Sequence, residues 1–446
     1  MRSAAVPLLA LTVGLVLADS AVVTLALPDI LQHLGGTVAQ VAWVLIAFNL
    51  VLALVVVPVA WVCSRRDPAP LTAAGIAVFA VASAACAVAG SIEVLIAARC
   101  VQAVGGAFAL VGCLELLVIR SDEQRGVSRW VAAGVLGTAA GPVAGGLLTE
   151  AFNWQSIFVV QVPIAALAVP AALSVRGRPV RSVDRHRPAF APNLALALLS
   201  AALTAALFLL VLLLVDGWRR SPATAALTVS VVPLAAFAAG PLARAFRAGP
   251  AAETAVGCFL VAGGLTSLAL LPSADLVWTI APQALIGLGL GLTVDRLTAA
   301  AMKGRFPRAI HGGWTIGARH AGVVLGLAIL TPVFTADLRD AQVPAQQAIT
   351  SLVLDAQLTG PDKVALAKGL GAQLMNERGR VPDLHPAFAR LPLAASERPA
   401  AAQLERDLDS QLERAANRAF RDSFLIAAGL ALAALASLAL VRRRVA

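Results

Sequence analysis

The chain has 446 residues, of which 59% are hydrophobic and only 13% are charged, against roughly 25% charged residues in a typical soluble domain. This composition excludes an ordinary soluble protein. A net charge of +10 would suggest a nucleic-acid partner in a soluble protein, but here the basic residues lie at the ends of apolar runs, so we expect no nucleic acid.

Twelve apolar stretches, each about long enough to cross a bilayer, follow one another along the chain. A membrane-spanning helix needs roughly 20 mostly apolar residues, because every backbone polar group must be satisfied inside it. The first stretch carries Asp19 and is long for a cleavable signal peptide, so we interpret it as a span. The predicted spans are residues 5–28, 40–62, 70–90, 93–118, 128–149, 154–174, 192–215, 223–245, 253–272, 276–299, 312–334 and 422–441.

Arginine and lysine cluster in the loops on one side of these spans. Five Arg lie between Val175 and Pro188 alone, whereas loops on the other side carry acids. Only Arg219 and Arg220, after the seventh span, are exceptions. Because cytoplasmic loops carry the excess of Lys and Arg, we predict a multi-pass protein of the plasma (inner) membrane with both termini in the cytoplasm.

The spans divide the chain into an N-terminal six-helix half (residues 1–174), a basic cytoplasmic linker (175–191) and a C-terminal six-helix half (192–446). The predicted fold class is therefore an all-α membrane protein of twelve transmembrane helices in two halves. The five cysteines lie in or at the ends of spans, without the spacing of a zinc site. We expect no metal, no cofactor and no enzymatic residues.

A polar insertion of residues 336–420 separates the last two spans, and the predicted topology places it outside the cell. It holds 11 acids and 10 bases, so it carries no positive-inside signal. Leucines recur every four residues at Leu366, Leu370 and Leu374 and again at Leu404, Leu408 and Leu412, which predicts amphipathic helices. We interpret the insertion as a helical hairpin packed on itself or on the membrane surface; handling of substrate or docking of a partner is the alternative.

Two charges are predicted at membrane depth, where an ionisable group is costly and therefore a functional candidate. Counting from the span ends puts Asp19 and Arg99 both roughly 21 Å from the cytoplasmic face. We hypothesise that they face a common cavity and couple proton binding to transport. The alternative is that each pairs locally for packing.

Other polar residues in the spans are candidates for a substrate cavity. Gln102 follows Arg99 by one turn, and Arg319 and His320 lie roughly 10 Å inside the eleventh span. His320 is either a group that titrates near neutral pH or a hydrogen-bonded packing residue. Glu115 and Asp295 lie near helix ends and are interpreted as structural. The candidate cavity residues are Thr24, Trp43, Asn49, Gln102, Arg319 and His320.

The fifth span has a stripe of small residues: Gly137, Gly141, Gly145 and Gly146, with Pro142 among them. Spacing of four residues puts most of them on one helix face, where they allow close approach of another backbone, and the proline favours a kink. Plain helix packing is the alternative reading of this stripe.

Five segments resemble motifs of the major facilitator superfamily. Leu17 to Pro28 looks like the first-span signature L-D-x-T-I-V-N-V-A-L-P, with Thr24 in the Asn place, and Arg99 to Gly105 is similar to R-x-x-Q-G-x-G. Gly137 to Gly146, GTAAGPVAGG, looks like the antiporter motif of the fifth helix. Trp154 to Pro163 resembles W-R-W-I-F-x-x-N-x-P, and Arg319 to Ala328 resembles R-Q-x-G-x-x-L-G-x-A. The likeness is greatest to the drug:proton antiporters of the branch that usually has fourteen spans.

The chain also departs from that family's pattern. The loop from Trp61 to Pro68 keeps Arg65 and Arg66 of a motif that is thought to latch the two halves, but it lacks the glycines and the first acid. Only twelve spans are visible. The resemblance implies a monomeric, proton-coupled secondary transporter that binds a small-molecule substrate and protons, with Asp19 and Arg99 as the coupling pair and altered gating at Arg65 and Arg66.

Three functions follow from these observations. The first is export of small amphipathic or cationic compounds by alternating access, as in multidrug efflux. The second is export or flipping of a lipid-like or biosynthetic product that the insertion receives. The third is a non-transporting membrane sensor whose insertion binds a ligand. Loss of transport on mutation of Asp19 would argue against the sensor.

Overall fold

The computed structural model describes residues 5–35, 37–177, 186–246, 249–376, 384–390 and 396–445. Every regular element in these ranges is helical. Within these ranges, twelve helical stretches are long and apolar enough to cross a membrane, which confirms the predicted fold class. The helices are α1 (Ala5–Leu34), α2 (Val38–Cys63), α3 (Pro68–Ala87), α4 (Ile92–Arg120), α5 (Glu123–Ala151), α6 (Ser156–Val159), α7 (Gln161–Leu173), α8 (Phe190–Leu212), α9 (Pro222–Val229), α10 (Val231–Phe246), α11 (Pro250–Ala269), α12 (Val277–Met302), α13 (Arg308–Asp355), α14 (Gly360–Asn376), α15 (His385–Ala389) and α16 (Arg398–Val445).

Polar side chains mark the starts of several spans. Thr37 accepts a hydrogen bond from the backbone N–H of Gln40, whose side chain in turn accepts from the backbone N–H of Thr37. This reciprocal cap satisfies two backbone donors that the first turn of α2 leaves free. Asp67, Ser91 and Asp122 accept backbone N–H groups in the same way at α3, α4 and α5. Each of these four helices thus begins directly after a polar residue that caps its first turn.

Two spans are interrupted shortly before a proline. α6 ends at Val159 and α7 begins at Gln161, while α9 ends at Val229 and α10 begins at Val231. Pro163 and Pro233 have no N–H with which to bond the carbonyls of Val159 and Val229, four residues earlier. The sixth and eighth spans are therefore each made of two helices. A π-helical segment, Leu213–Gly217, extends α8.

The two halves repeat one packing scheme. In the N-terminal half α1 packs on α5, α2 on α4, and α3 on α4 and α7. In the C-terminal half α8 packs on α13, α10 on α12, and α11 on α12 and α16, which are the equivalent spans in order. The halves meet mainly where α2 contacts α13 and where α5 contacts α9. Space between the halves is consequently bounded by α1, α2, α5, α8 and α13.

The eleventh and twelfth spans are parts of much longer helices. α13 and α16 have 48 residues each, which gives each a length of roughly 72 Å, more than twice the hydrocarbon thickness of a bilayer. The predicted spans 312–334 and 422–441 mark only the apolar part of each helix. The polar continuations are rich in Ala, Leu, Gln and Arg, which favour helix, so nothing ends the helix where the apolar run ends.

The insertion of residues 336–420 has a hydrophobic core of its own. It consists of the polar ends of α13 and α16 together with α14 and α15. The recurring leucines Leu366, Leu370, Leu404, Leu408 and Leu412 are buried in this core, together with Ile349, Val353, Leu384 and Phe388. The side chain of Leu374 and residues 377–383 and 391–395 lie outside the described part of the chain, as do residues 178–185 of the predicted linker.

The two basic residues that break the charge rule form local contacts. Arg219 forms an ion pair with Asp409 of α16 at 2.5 Å, and the neighbouring Trp218 donates from its indole nitrogen to Asn417 at 2.9 Å. Arg220 donates to the backbone oxygen of Ala274 at 3.4 Å. These arginines have local partners on the side of the insertion, so their position does not contradict the orientation that the other loops predict.

Candidate functional site

A fully buried ion pair lies inside the N-terminal half. α1 places Asp19 and α4 places Arg99 at the same level, and the Arg99 Nη1 atom donates to Asp19 Oδ2. Both side chains have no exposed surface. Two opposite charges removed from solvent attract each other far more strongly than a surface pair, but only if their remaining polar atoms are also satisfied.

Three neutral side chains complete a hydrogen-bonded network around the pair. Gln161 of α7 donates from Nε2 to Asp19 Oδ1 at 2.8 Å, and Gln102 Oε1 accepts from Arg99 Nη1 at 2.6 Å. Gln102 Nε2 donates to Ser83 Oγ at 2.8 Å and to Gln161 Oε1 at 2.9 Å. Four helices, α1, α3, α4 and α7, therefore contribute side chains to one network around the Asp19 carboxylate.

The guanidinium of Arg99 also faces α2. Its central carbon lies 4.1 Å from the ring centroid of Phe48, and its Nε atom donates to the backbone oxygen of Val44 at 3.4 Å. Its Nη2 atom is buried without a hydrogen-bond partner among the described residues. The aromatic face stabilises the cation by cation–π attraction where the network leaves one nitrogen unsatisfied.

A cavity of about 80 Å³ lies between the two halves, next to this network. Its walls come from α1, α2 and α5 on one side and from α8 and α13 on the other. They combine leucines and valine with hydroxyl groups, one amide, one imidazole and one guanidinium. The lining residues are Leu17, Ser20, Ala21, Thr24, Leu45, Asn49, Thr138, Ser200, Leu203, Thr204, Leu207, Arg319, His320 and Val323.

One hydrogen bond crosses the cavity from half to half. His320 Nδ1 on α13 lies 2.6 Å from Asn49 Oδ1 on α2, and Ser20 Oγ donates to the same oxygen at 3.3 Å. An amide oxygen only accepts, so this contact is a hydrogen bond in the tautomer of His320 that carries a proton on Nδ1. The His320 ring also meets the Phe48 ring edge to face, with centroids 6.5 Å apart. Phe48 thus contacts both Arg99 and His320.

A second, smaller cavity adjoins the first and shares Leu17, Arg319 and His320 with it. It continues toward the N-terminal end of α5, at Trp130, and the C-terminal end of α12, at Thr298. Asp295 lines this second cavity and lies near enough to Arg319 to attract it. The second cavity therefore lies between the central one and one end of the bundle.

Four of the six candidate cavity residues, Thr24, Asn49, Arg319 and His320, line the central cavity. Trp43 does not, since it lies on the outer surface of α2 with half of its area exposed. Gln102 is buried in the Asp19 network instead of facing the cavity. Asp19 and Arg99 are likewise enclosed within the N-terminal half, so they pair without lining this cavity.

The glycine stripe of α5 lies against α1. A Cβ atom at Gly137 would overlap the backbone oxygen of Gly14, one at Gly141 would lie 3.0 Å from the backbone oxygen of Ala18, and one at Gly145 would lie 2.5 Å from that of Val22. Gly146 points away from this face and packs against Ala226 of the other half. Small residues therefore let α5 touch α1 and α9 at backbone distance, and Pro142 lies within the same helix.

Arg65 and Arg66 lie in the turn after α2. The Arg65 guanidinium stacks on the Trp61 ring of α2, with its central carbon 3.8 Å from the ring centroid. Within the described ranges, neither arginine forms an ion pair with the C-terminal half. At this end of the bundle the halves contact each other through other residues. Gly313 and Gly317 of α13 pack against Val56 of α2, and Arg308 forms an ion pair with Glu123.

Sequence reasoning missed Gln161, Ser83 and the pair Gly313 and Gly317. Gln161 occupies the Asn place of the W-R-W-I-F-x-x-N-x-P pattern, so a polar residue in the sixth span was a usable signal. Gly313 and Gly317 are four residues apart, which is the small-residue spacing already used for α5. Ser83 carries no such signal, since serine is common in membrane helices.

Comparison with known proteins agrees with the motifs. A family model described as Major Facilitator Superfamily matches residues 9–331. The methylenomycin A resistance protein of Streptomyces coelicolor is 33% identical over 239 residues, which are 52% of this chain and 49% of the relative. The multidrug resistance protein B homolog of Mycobacterium tuberculosis is 26% identical over 424 residues, or 77% of this chain and 78% of that relative. The chain thus spans about half the length of the Streptomyces relative and 78% of the length of the Mycobacterium relative.

The fold has a counterpart among solved structures. A crystal structure of a bacterial homolog of the human lysosomal transporter Spinster, in an inward-facing and occupied conformation, superimposes with a TM-score of 0.62 at 15% identity. The match covers 99% of this chain and 97% of that one. At this identity the likeness concerns the fold alone.

Proposed function

The chain belongs to the Major Facilitator Superfamily of membrane transporters, and from this premise we propose that it exports small amphipathic compounds in exchange for protons. Relatives named as resistance proteins support a drug-efflux transporter. The observation that carries the proton coupling is the fully buried pair of Asp19 and Arg99. A buried charge pair is stable only while both charges are present, so protonation of Asp19 has a large effect on its surroundings.

The contacts of Arg99 suggest how protonation acts at a distance. A neutral Asp19 no longer attracts Arg99, and the guanidinium then relies on Gln102, Val44 and Phe48. Phe48 is on α2 and contacts His320, and the adjacent Asn49 bonds to His320. A shift of Arg99 therefore alters the contact between α2 and α13, which joins the two halves.

Alternating access would consist of rocking the two halves around the central cavity. The contacts at α2 with α13 and at α5 with α9 are the places where the halves separate or close. On the side of the insertion, Gly146 packs on Ala226 and the Glu150 carboxylate accepts a hydrogen bond from the backbone N–H of Ala223 at 2.6 Å. With the termini in the cytoplasm, these contacts would lie on the outer side, and the second cavity, along α5 and α12, would lie on the side of the cell interior.

The test measures export of a panel of amphipathic dyes from cells that express the wild type, Asp19→Asn or Asp29→Asn, with and without an uncoupler. Asp29 is an acid of the same helix at its outer end, so Asp29→Asn is a matched control. We expect uncoupler-sensitive export by the wild type and the control and at least a tenfold loss for Asp19→Asn. Proton-dependent export that survives Asp19→Asn would overturn the assignment.

A second candidate function, export of a lipid-like product received by the insertion, has one specific observation in its favour. The insertion has a core separate from the cores of the membrane part, yet α13 and α16 run directly from it into the eleventh and twelfth spans. A carrier that hands its cargo to an outer module would need such an attachment. Export of no dye by the wild type, with labelled lipid released instead, would favour this candidate.

A further inference from the structure

The central cavity has a single charged group among its described lining residues, Arg319. The buried acid Asp19 is enclosed in the N-terminal half and is paired with Arg99. Among the described residues that line this cavity there is no carboxylate. The one charged group on the described lining of this cavity is therefore a cation, which favours a substrate group of the opposite charge.

The hydrogen-bond donors of the cavity lead to the same conclusion. The hydroxyls of Thr24, Thr138 and Thr204 donate to backbone oxygens four residues earlier, and the Ser20 hydroxyl donates to Asn49. Arg319, by contrast, forms neither a hydrogen bond nor an ion pair within 4.0 Å with any described residue. Its planar array of N–H groups, suited to two oxygens of one anion, is available.

Asp295 does not remove this preference. It attracts Arg319 from the adjoining cavity, but it lies beyond ion-pair distance and does not line the central one. The positive charge of a guanidinium that has a distant counter-charge and no direct partner is only partly neutralised. A bound anion would complete the neutralisation that a buried charge requires.

We propose that Arg319 receives the anionic group of the substrate, and that the substrate class is a small amphiphile bearing a carboxylate or sulfonate. Leu17, Leu45, Leu203 and Leu207 form the apolar wall for its body. This proposal rests on the proposed export function and replaces the cationic preference that the sequence suggested. It makes Arg319 a residue that determines charge selectivity.

The test uses two probes with the same apolar body and permanent opposite charges, 4-butylbenzenesulfonate and 4-butylphenyltrimethylammonium. Binding is measured by titration calorimetry on the full chain in phosphatidylcholine nanodiscs, with empty nanodiscs as the blank. We expect the wild type to bind the sulfonate at least tenfold more tightly than the ammonium probe. Arg319→Gln should abolish this preference, and Arg319→Lys should keep most of it.

Two controls make the result specific. Arg125→Gln removes an exposed arginine outside both cavities and should leave both affinities unchanged. Asp19→Asn should abolish proton-driven export but keep the preference for the sulfonate, so failure of the export function and failure of this proposal are distinguishable. A preference for the ammonium probe, equal binding of both, no binding of either by the wild type, or unchanged sulfonate affinity in a folded Arg319→Gln variant would each overturn the proposal.

Discussion

Gln161 decides how well the buried carboxylate of Asp19 is solvated by the protein. Its Nε2 atom donates to Asp19 Oδ1 at 2.8 Å, whereas Gln102 reaches the same oxygen only at 3.5 Å. Hydrogen bonds to charged groups contribute about 1.5 to 3 kcal/mol each. Without Gln161, one oxygen of Asp19 has no close donor among the described residues.

We therefore expect Gln161→Leu to lower the free energy of unfolding by about 1.5 to 3 kcal/mol, measured as a lower melting temperature of the purified protein. Gln155→Leu is the matched control, because the side-chain oxygen of Gln155 is buried without a partner among the described residues. This substitution should change the melting temperature little or not at all. Equal losses of stability in the two variants would contradict the role given to Gln161.

For single residues, the sequence predicted the depth of a side chain in the membrane better than the direction in which it points from its helix. Asp19 and Arg99 were placed at one level because the helical rise per residue is fixed, and they do pair. Trp43 and Gln102 are cavity candidates from the sequence, whereas in the structure Trp43 lies on the outer surface and Gln102 belongs to the Asp19 network. The rotation of a helix about its axis depends on its neighbours, which a single hydrophobic sequence does not specify.

At the scale of elements, the contact of α1 with α5 depends on the absence of side chains. The backbone oxygen of Gly14 occupies the place where a side chain at Gly137 would begin. Backbone atoms cannot move aside as the end of a flexible side chain can, so substitution must separate the helices. Because α1 also carries Asp19, separation would disturb the buried network as well.

Gly137→Ala should accordingly destabilise the protein by at least the 1 to 3 kcal/mol that is typical of overpacking, and it should reduce the yield of monodisperse protein in size-exclusion chromatography. Gly263→Ala serves as the control, because a Cβ atom at this position of α11 would meet nothing within 4 Å. That substitution should be neutral or slightly stabilising, since alanine favours helix over glycine. An equal yield of both variants would refute the close contact.

Apolar runs predicted the number and position of the spans because the lipid solvent demands them. They did not predict where helices end. Pro163 and Pro233 break two spans, and α13 and α16 continue far beyond their apolar parts. Hydropathy measures which residues tolerate lipid, whereas helix length depends on backbone hydrogen bonding and on residue propensity, which continue unchanged into water.

At the scale of the whole molecule, the insertion is a separable unit. Its core is distinct from the two cores of the membrane part, and the Phe334 and Phe420 rings, 4.4 Å apart, hold α13 and α16 together at its base. The ion pair of Arg219 with Asp409 is about one third exposed. Such a pair contributes at most about 1 kcal/mol, so it does not bind the insertion firmly.

Replacement of residues 340–414 by a short Gly-Ser loop should therefore leave a folded membrane part that still exports small amphiphiles, measured as uncoupler-sensitive dye export from cells. Asp19→Asn in the shortened chain is the negative control. If the shortened chain is folded and inserted but exports nothing, the insertion takes part in transport, and the reading in which it receives the cargo gains support.

The great length of α13 and α16 has a mechanical consequence. The stretch of α13 beyond residue 337 runs for 18 residues without a break, so it projects roughly 27 Å from the last residue of the span. A rigid rotation of the C-terminal half by about 10° would then sweep its tip through roughly 5 Å. A tilt of the C-terminal half that moves atoms only slightly within the bilayer therefore produces a larger displacement at the tip of the insertion. A spectroscopic label at that tip would report it.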